Sequence, residues 1–219
     1  MADSTVYSRT TDSWAGLSDA TWATARGAAA TNGSGQDNSG TAYDFGVYNI
    51  YTSGRGGATF TMRRSFFDFD LSGESSEVAS AEVKLHLDWL GSGIRDEVIL
   101  VAATALAGNT YDYGNVFHAG TTLGATYSDS VSVSTTAGYH TFTMTAAAIT
   151  DINSAIGSGN VTMGLMGAYY DHSNNAPPLN GDYAKVRVIY SDYSGTGSDP
   201  KLELTYAAAD DAIFFGANF

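Results

Sequence analysis

The chain contains no cysteine. Cysteine nucleophiles, Cys-rich zinc sites and disulfide scaffolds are thereby excluded together. Charge is also scarce: 15% of residues are charged, against about 25% in an ordinary soluble domain. Positive charge is scarcest, with 10 Lys and Arg against 23 Asp and Glu and a formal net charge of −13. A nucleic-acid-binding surface needs a basic footprint, so this balance argues against a nucleic acid partner and against docking on anionic membrane. No run approaches the roughly 18 consecutive apolar residues of a membrane span. The segment Met1–Tyr7 has neither a basic region nor an apolar one, so no secretory signal peptide is expected. Such a product is expected to be made in the host cytoplasm and either to stay where it is made or to leave by lysis or by a route that reads no N-terminal signal.

What the chain does have is length and apolar content. Its 219 residues are 43% hydrophobic, enough to build a core without a metal or disulfide staple. The polar surface must come from Ser, Thr, Asn, Gly and Tyr. Val78–Trp89 alternates cleanly, with Ala81, Val83, Leu85, Leu87 and Trp89 on one face and Glu82, Lys84, His86 and Asp88 on the other. Such period-two patterning predicts a half-buried strand. Phe60–Leu71 puts Phe67, Phe69 and Leu71 on one face and Phe66, Asp68 and Asp70 opposite. Val98–Ala103 is a short apolar run suited to a strand covered on both faces. Further strands are predicted over Tyr139–Met144, Val161–Ala168, Tyr183–Tyr190 and Lys201–Tyr206.

One helix is predicted, over Ala146–Ile156, with Thr145 as N-cap and Gly157 just past its C-terminus. Its stripe of Ile149, Ile152 and Ile156 suits a helix lying on a sheet. The loops Gly27–Thr41, Asp171–Asp182 and Ser191–Pro200 are rich in Gly, Ser and Asx. Many strands, Gly-rich turns and one short helix predict an all-β fold: an antiparallel, jelly-roll-like β-sandwich forming one domain over residues 1–206. An aromatic tail occupies residues 207–219.

Arg64-Ser-Phe-Phe-Asp-Phe-Asp-Leu-Ser72 followed by Ala81–Leu87 resembles the opening of DNRLRE-type, or TGF-β-propeptide-like, β-sandwich domains. Asp12-Ser-Trp14 is similar to their first segment. Tyr139–Thr145 with its following helix, Gly157–Leu165, and Ser194–Tyr206 resemble their later strands, so the resemblance spans roughly Asp12–Tyr206. It implies a sandwich of the kind grouped with carbohydrate-binding modules, used as an accessory or structural domain. Secreted members carry a signal peptide and accompany a catalytic module, and this chain shows neither. A free-standing sandwich with an aromatic tail looks more like a tailed-phage structural protein.

Residues with chemical potential have ordinary readings beside them. His86, His118, His140 and His172 show no metal-ligand spacing. Asp68 and Asp70 share a strand face about 6.6–6.8 Å apart, a spacing that glycoside hydrolysis uses but that any Asp-x-Asp in a strand provides. With Arg64 on the same face, a surface ion-pair ladder is expected. The loop Thr31–Gly40 lacks a dinucleotide fingerprint and is expected to be plain surface. No cofactor is expected. A structural Ca²⁺ held by some of Asp37, Asn38, Asp171, Asn174, Asn175, Asp182, Asp192 and Asp199 is the alternative to ordinary turn-forming roles. Tyr111, Tyr113, Phe117, Tyr127, Tyr169, Tyr170, Tyr183, Tyr190 and Tyr193 are expected around loops, serving strand ends, subunit contacts or sugar platforms.

The tail is unusual for a terminus, since Ile213, Phe214, Phe215 and Phe219 follow a completed domain. Burying each would gain about 1.5–3 kcal/mol, so Ile213–Phe219 is expected to pack on a neighbouring subunit or, failing that, on its own domain. Deleting residues 212–219 is expected to leave the fold intact and abolish assembly. The expected function is therefore non-enzymatic: a virion subunit, capsid decoration or appendage, whose partners are other copies of itself and a capsid or tail protein. Glycan binding by a carbohydrate-binding module or adhesin is the alternative, and glycan degradation a more remote one.

Overall fold

The computed structural model describes residues 3–27, 35–37, 44–89, 95–104, 113–118, 122–133, 137–191 and 196–208. In chain order the elements are β1 (Ser4–Tyr7), β2 (Ser13–Asp19), α1 (Trp22–Arg26), β3 (Gly35–Asp37), β4 (Asp44–Gly54), β5 (Gly57–Asp70), β6 (Val78–Trp89), β7 (Glu97–Ala102), β8 (Phe117–His118), β9 (Thr122–Leu123), β10 (Val131–Ser132), β11 (Gly138–Thr143), α2 (Ala146–Ala155), β12 (Asn160–Gly167), β13 (Ala184–Val188) and β14 (Lys201–Tyr206). The architecture is all-β, antiparallel and sandwich-like. A 12-stranded sheet runs β1-β14-β6-β13-β4-β5-β12-β7-β10, with β11 added on β6, β2 on β5, and β3 on β2.

Two long strands make the sheet fold over on itself. β6 pairs with β14 along its first half and with β13 at its end, while β11 lines its other edge. β5 pairs with β4 along its first half and with β12 along its second, with β2 on the opposite edge. Strands that change neighbours in this way make the corners of a sandwich. The main core lies between the layers: Phe67, Phe69 and Leu71 of the β5 run meet Val83, Leu85, Leu87, Leu100, Met163, Leu165, Val186, Leu202 and Leu204. The alternation predicted for β6 is what directs Ala81, Val83, Leu85 and Leu87 into this core.

The other face of β5 is not solvated. Phe60, Met62 and Phe66 join Ala15, Ile99, Val101, Val116 and Met166 in a second apolar cluster, roofed by Ala25 of α1. β5 is thus covered on both sides.

The predicted helix forms as α2. Thr145 caps it by accepting from the Ala148 amide at 3.4 Å, and Gly157 follows its end with φ +73°, a left-handed conformation that glycine adopts without Cβ strain. Ile152 is buried, with Ile149 and Ile156 against the core. Asn153 ties the helix to β6, accepting from the Val78 amide at 2.8 Å and donating to its carbonyl at 3.0 Å.

Three expectations need correction. The sequence reading offered one helix, but α1 is a second, capped by Thr21, and Ala168–His172 forms a single π-helical turn where strand was expected to continue through Ala168. Gly27–Thr41 contains a short strand, β3, paired with β2; residues 28–34 and 38–41 of that loop lie outside the described residues. Strands β1, β2 and β4 were not anticipated. Among the described residues no helix is long and apolar enough to cross a membrane.

Candidate functional site

Arg64 stands on the face of β5 that carries Phe60, Met62 and Phe66, so its guanidinium is delivered into the second apolar cluster. It is fully buried. A charge there must be paired, and Asp171 in the π-helical turn supplies the partner. Arg64 donates from Nε to Asp171 Oδ2 at 2.7 Å and from Nη2 to Oδ1 at 2.6 Å. The same Nη2 donates to the Arg26 carbonyl at the end of α1, at 3.0 Å. Arg26 in turn donates from Nε to the Asp171 carbonyl at 2.6 Å. This centre pins α1 and the π-helical turn to β5.

Asp68, two pleat repeats further along the same face, is also buried. It accepts from Thr162 Oγ1 at 2.9 Å, from Asn160 Nδ2 at 2.9 Å and from Arg9 Nη1 at 3.3 Å. The expected surface ladder of Arg64, Asp68 and Asp70 is therefore wrong for two of its three members; only Asp70 is exposed. For Arg64 the cause is the second cluster, which covers the face that the sequence pattern left to solvent; Asp68 is closed in by Arg9, Asn160 and Thr162. An Arg flanked at i±2 by Met62 and Phe66 was the available signal.

The outward face of β1-β14-β6-β11 is a different environment. Register sets Thr141, Lys84, Lys201 and Tyr7 across one row, and Thr143, Glu82, Glu203 and Thr5 across the next. Lys84 thus faces Lys201 and Glu82 faces Glu203, arrangements that repel when isolated. Pairing across and along the strands removes the repulsion: Lys84 Nζ lies 2.6 Å from Glu203 Oε2 on the diagonal, and Lys201 Nζ, on the same strand as Glu203, lies 3.0 Å from its Oε1. The hydrogen bond to Glu203 raises the Lys84 pKa, and the hydrogen bond from Lys84 lowers that of Glu203. A groove of about 360 Å³ runs here between Ser80, Glu82, Lys84, Thr143, Glu203 and Thr205.

At the end of this face Tyr139 and Tyr7 are exposed. Tyr139 donates to the Asp199 carbonyl at 3.0 Å, carries Lys201 Nζ 5.0 Å from its ring centre, and meets the edge of His86 at 5.6 Å. Burial lowers the pKa of His86 and raises that of Tyr139.

A smaller hollow of about 240 Å³ lies beside the π-helical turn, lined by Glu97, Ile99, Thr126, Ser128, Asp129, Ser130, Ala168, Tyr169, His172 and Ser173. His172 Nε2 is 3.2 Å from Thr126 Oγ1, and burial lowers its pKa.

The remaining expected residues divide as follows. Ile213, Phe214, Phe215 and Phe219 lie outside the described residues, as do Asn38, Tyr111, Asp192 and Tyr193, together with the side chains of Asp37, Trp89, Tyr113, Phe117 and His118. Tyr127, Tyr170 and Tyr190 are buried, not loop platforms: they belong to the packed interior. Of the Asx set, Asp171 is held by Arg64, Asn174 Oδ1 accepts from Trp22 Nε1 at 2.9 Å, and Asn175 Nδ2 donates to the Tyr169 carbonyl at 2.9 Å. Asn174 has φ +58°, as a turn-forming Asn does. Among the described residues no three His, Asp or Glu side chains are grouped to hold a metal ion. His86 and His140 are half-buried on neighbouring strands. Tyr7, outside the sequence expectations, joins the exposed face because β1 pairs with β14.

No family model matches the chain, and no curated protein matches it either.

Proposed function

We propose that this protein is a non-catalytic structural subunit of a virion, a capsid decoration or appendage, that works by surface contact with further copies of itself and with a capsid or tail protein. The observation that carries this reading is the β1-β14-β6-β11 face. It offers two exposed tyrosines beside a charge lattice that is neutralised within itself. Tyrosine is enriched at protein interfaces because it covers area with few torsions to freeze. A face whose charges already satisfy one another is cheaper to desolvate than one with bare lysines or carboxylates. The ends of the described chain meet on this layer, since β1 and β14 are neighbours. The resemblance to DNRLRE-type sandwiches supports a structural or accessory role. Glycan is the second partner that resemblance implies, and the exposed ring of Tyr169 beside the smaller hollow favours it.

Immunogold electron microscopy of purified particles tests the proposal. Labelling at regular positions on heads, necks or tails is expected. Particles that lack the protein, while it persists free in the lysate, would overturn it.

A further inference from the structure

The β4–β5 hairpin ends in a tip that the sheet does not need. Its strands pair out to Gly54 and Gly57, leaving Arg55 and Gly56 as a two-residue turn. Gly57 has φ +109°, a conformation that favours glycine. The space around the tip is open: a Cβ at Gly54, Gly56 or Gly57 would meet nothing within 4 Å. The hairpin behind the tip is held. Asn180 Oδ1 accepts from the Ser53 amide at 3.1 Å, its Nδ2 donates to Ser53 Oγ at 3.0 Å, and its own amide donates to the Tyr51 carbonyl at 2.8 Å. Tyr51 also stacks on Phe60, with ring centres 3.8 Å apart. Arg55 therefore stands exposed at the end of a braced arm. Among the described residues it forms no ion pair, hydrogen bond or ring contact, whereas Arg9, Arg64, Lys84, Arg187 and Lys201 each meet a carboxylate.

The hollow beside the π-helical turn is its complement. Buried Ile99 and Ala168 line it, and Glu97 and Asp129 stand exposed at its edge. Among the described residues neither carboxylate is in an ion pair. Ser128 Oγ accepts from the Leu100 amide at 3.1 Å and donates to the Asp129 carbonyl at 2.8 Å, fixing the backbone beside Asp129. Burial lowers the His172 pKa, so that ring adds no charge near neutral pH. Arg95 lies on the Tyr169 ring, 4.3 Å from its centre, and does not line the hollow. The lining is net negative.

We propose that Arg55 of one copy enters this hollow on a second copy, its guanidinium paired with Glu97 and Asp129 and its stem laid on Ile99 and Ala168. The inference rests on the structural-subunit reading and names one contact between copies. Arginine suits the place, because its stem covers apolar surface while its planar head bonds carboxylates in a fork. Copies of net charge −13 repel one another, but that repulsion is largely screened beyond about 8 Å at physiological ionic strength. Charges in contact are screened far less. Each copy carries one tip and one hollow, so the contact either closes as a reciprocal pair or repeats head to tail.

Sedimentation velocity on the full chain over a wide concentration range tests this. Self-association that weakens with salt is expected. Arg55→Glu should weaken it about tenfold or more, and so should the double variant Glu97→Lys with Asp129→Lys. All three positions are exposed, so thermal unfolding should stay close to that of the unaltered chain. An equimolar mixture of the two variants should restore association, because every tip then finds a hollow of opposite charge. Failure of the mixture to recover would overturn the pairing, as would a chain that stays monomeric throughout. Association that Tyr7→Ala abolishes and Arg55→Glu leaves intact would overturn this contact and leave the subunit reading standing. Loss of Arg55→Glu chains from particles, with self-association unchanged, would give the tip to the capsid or tail protein and overturn the proposal. Absence of the unaltered protein from particles overturns the subunit reading by a separate measurement.

Discussion

Arg64 and Asp171 meet at 2.6 Å with both side chains fully buried, whereas Lys84 and Glu203 meet at the same 2.6 Å with 26% and 17% of their side chains exposed. The shortest distances are equal, so distance alone does not rank the two pairs, although only the inner one is bidentate. Environment does. The inner pair lies beside an apolar cluster, where protein groups stand in place of water: Asp171 Oδ1 is also 3.6 Å from Arg26 Nε, and Arg64 also reaches the Arg26 carbonyl. The outer pair shares its charges with Glu82, Lys201 and solvent. Removing one partner from the inner pair strands a buried charge; removing one from the outer pair returns a charge to water. An ion pair of the same length thus fixes the scaffold in one place and tunes a surface in the other.

The largest expected effect is at the inner pair. Asp171→Asn should destabilise the fold by about 3–5 kcal/mol, measured by urea unfolding, with little dependence on salt. A loss that high salt abolishes would place the pair with the surface set and break the comparison. Joint replacement, Arg64→Met with Asp171→Leu, should recover most of that stability, because apolar groups of similar size suit the second cluster; the double variant should unfold near the wild-type midpoint.

Asp68 sharpens the contrast as an intermediate case. It is buried, but its partner Arg9 is 41% exposed and the other donors are neutral. Asp68→Ala should cost about 1–3 kcal/mol, between the two extremes on the same denaturation scale.

The smallest effect belongs to the outer pair. Glu203→Gln should cost about 0.2–1 kcal/mol and less still in high salt. Its pH dependence has a definite sign. Lys84 holds the Glu203 pKa below its ordinary value, so the pair's contribution is complete above about pH 4.3 and is lost as pH falls through the lowered value. Thermal unfolding of wild type and Glu203→Gln should converge toward acid pH; curves that stay apart would assign Glu203 some other role.

The same contrast explains what could be read from the residues alone. β6 and β14 were legible because each has one wet face, so Val83, Leu85 and Leu202, Leu204 alternate with charged residues. α2 was legible from Thr145, Gly157 and its isoleucines. β5 was located, but its second face was misread: beyond the apolar neighbours Met62 and Phe66, nothing local reveals that α1 and the π-helical turn roof Arg64, or that Arg9 and β12 close over Asp68. The partnership of Arg64 with Asp171 spans 107 positions, and no periodicity carries information across that separation. β1, β2 and β4 are rich in Ser, Gly, Tyr and Asn, whose weak apolar alternation hides strands that pairing with β14, β5 and β13 creates. The exposed face was half visible, since Lys84 and Glu203 were assigned outward, but their diagonal match depends on a register that only the folded pairing sets.

The pairing of β1 with β14 brings Ser4 opposite Leu204, and the Asp3 amide donates to the Leu204 carbonyl at 2.8 Å. Closing so long a loop is entropically slow, and folds dominated by such pairings form in milliseconds to seconds, not microseconds. An emerging chain therefore holds β1 without its partner throughout most of synthesis. Because β14 also completes the edge of β6, the layer that carries Tyr7 and Tyr139 is finished last. The layer proposed above as the contact surface therefore exists only once β14, the last of the described strands, has docked.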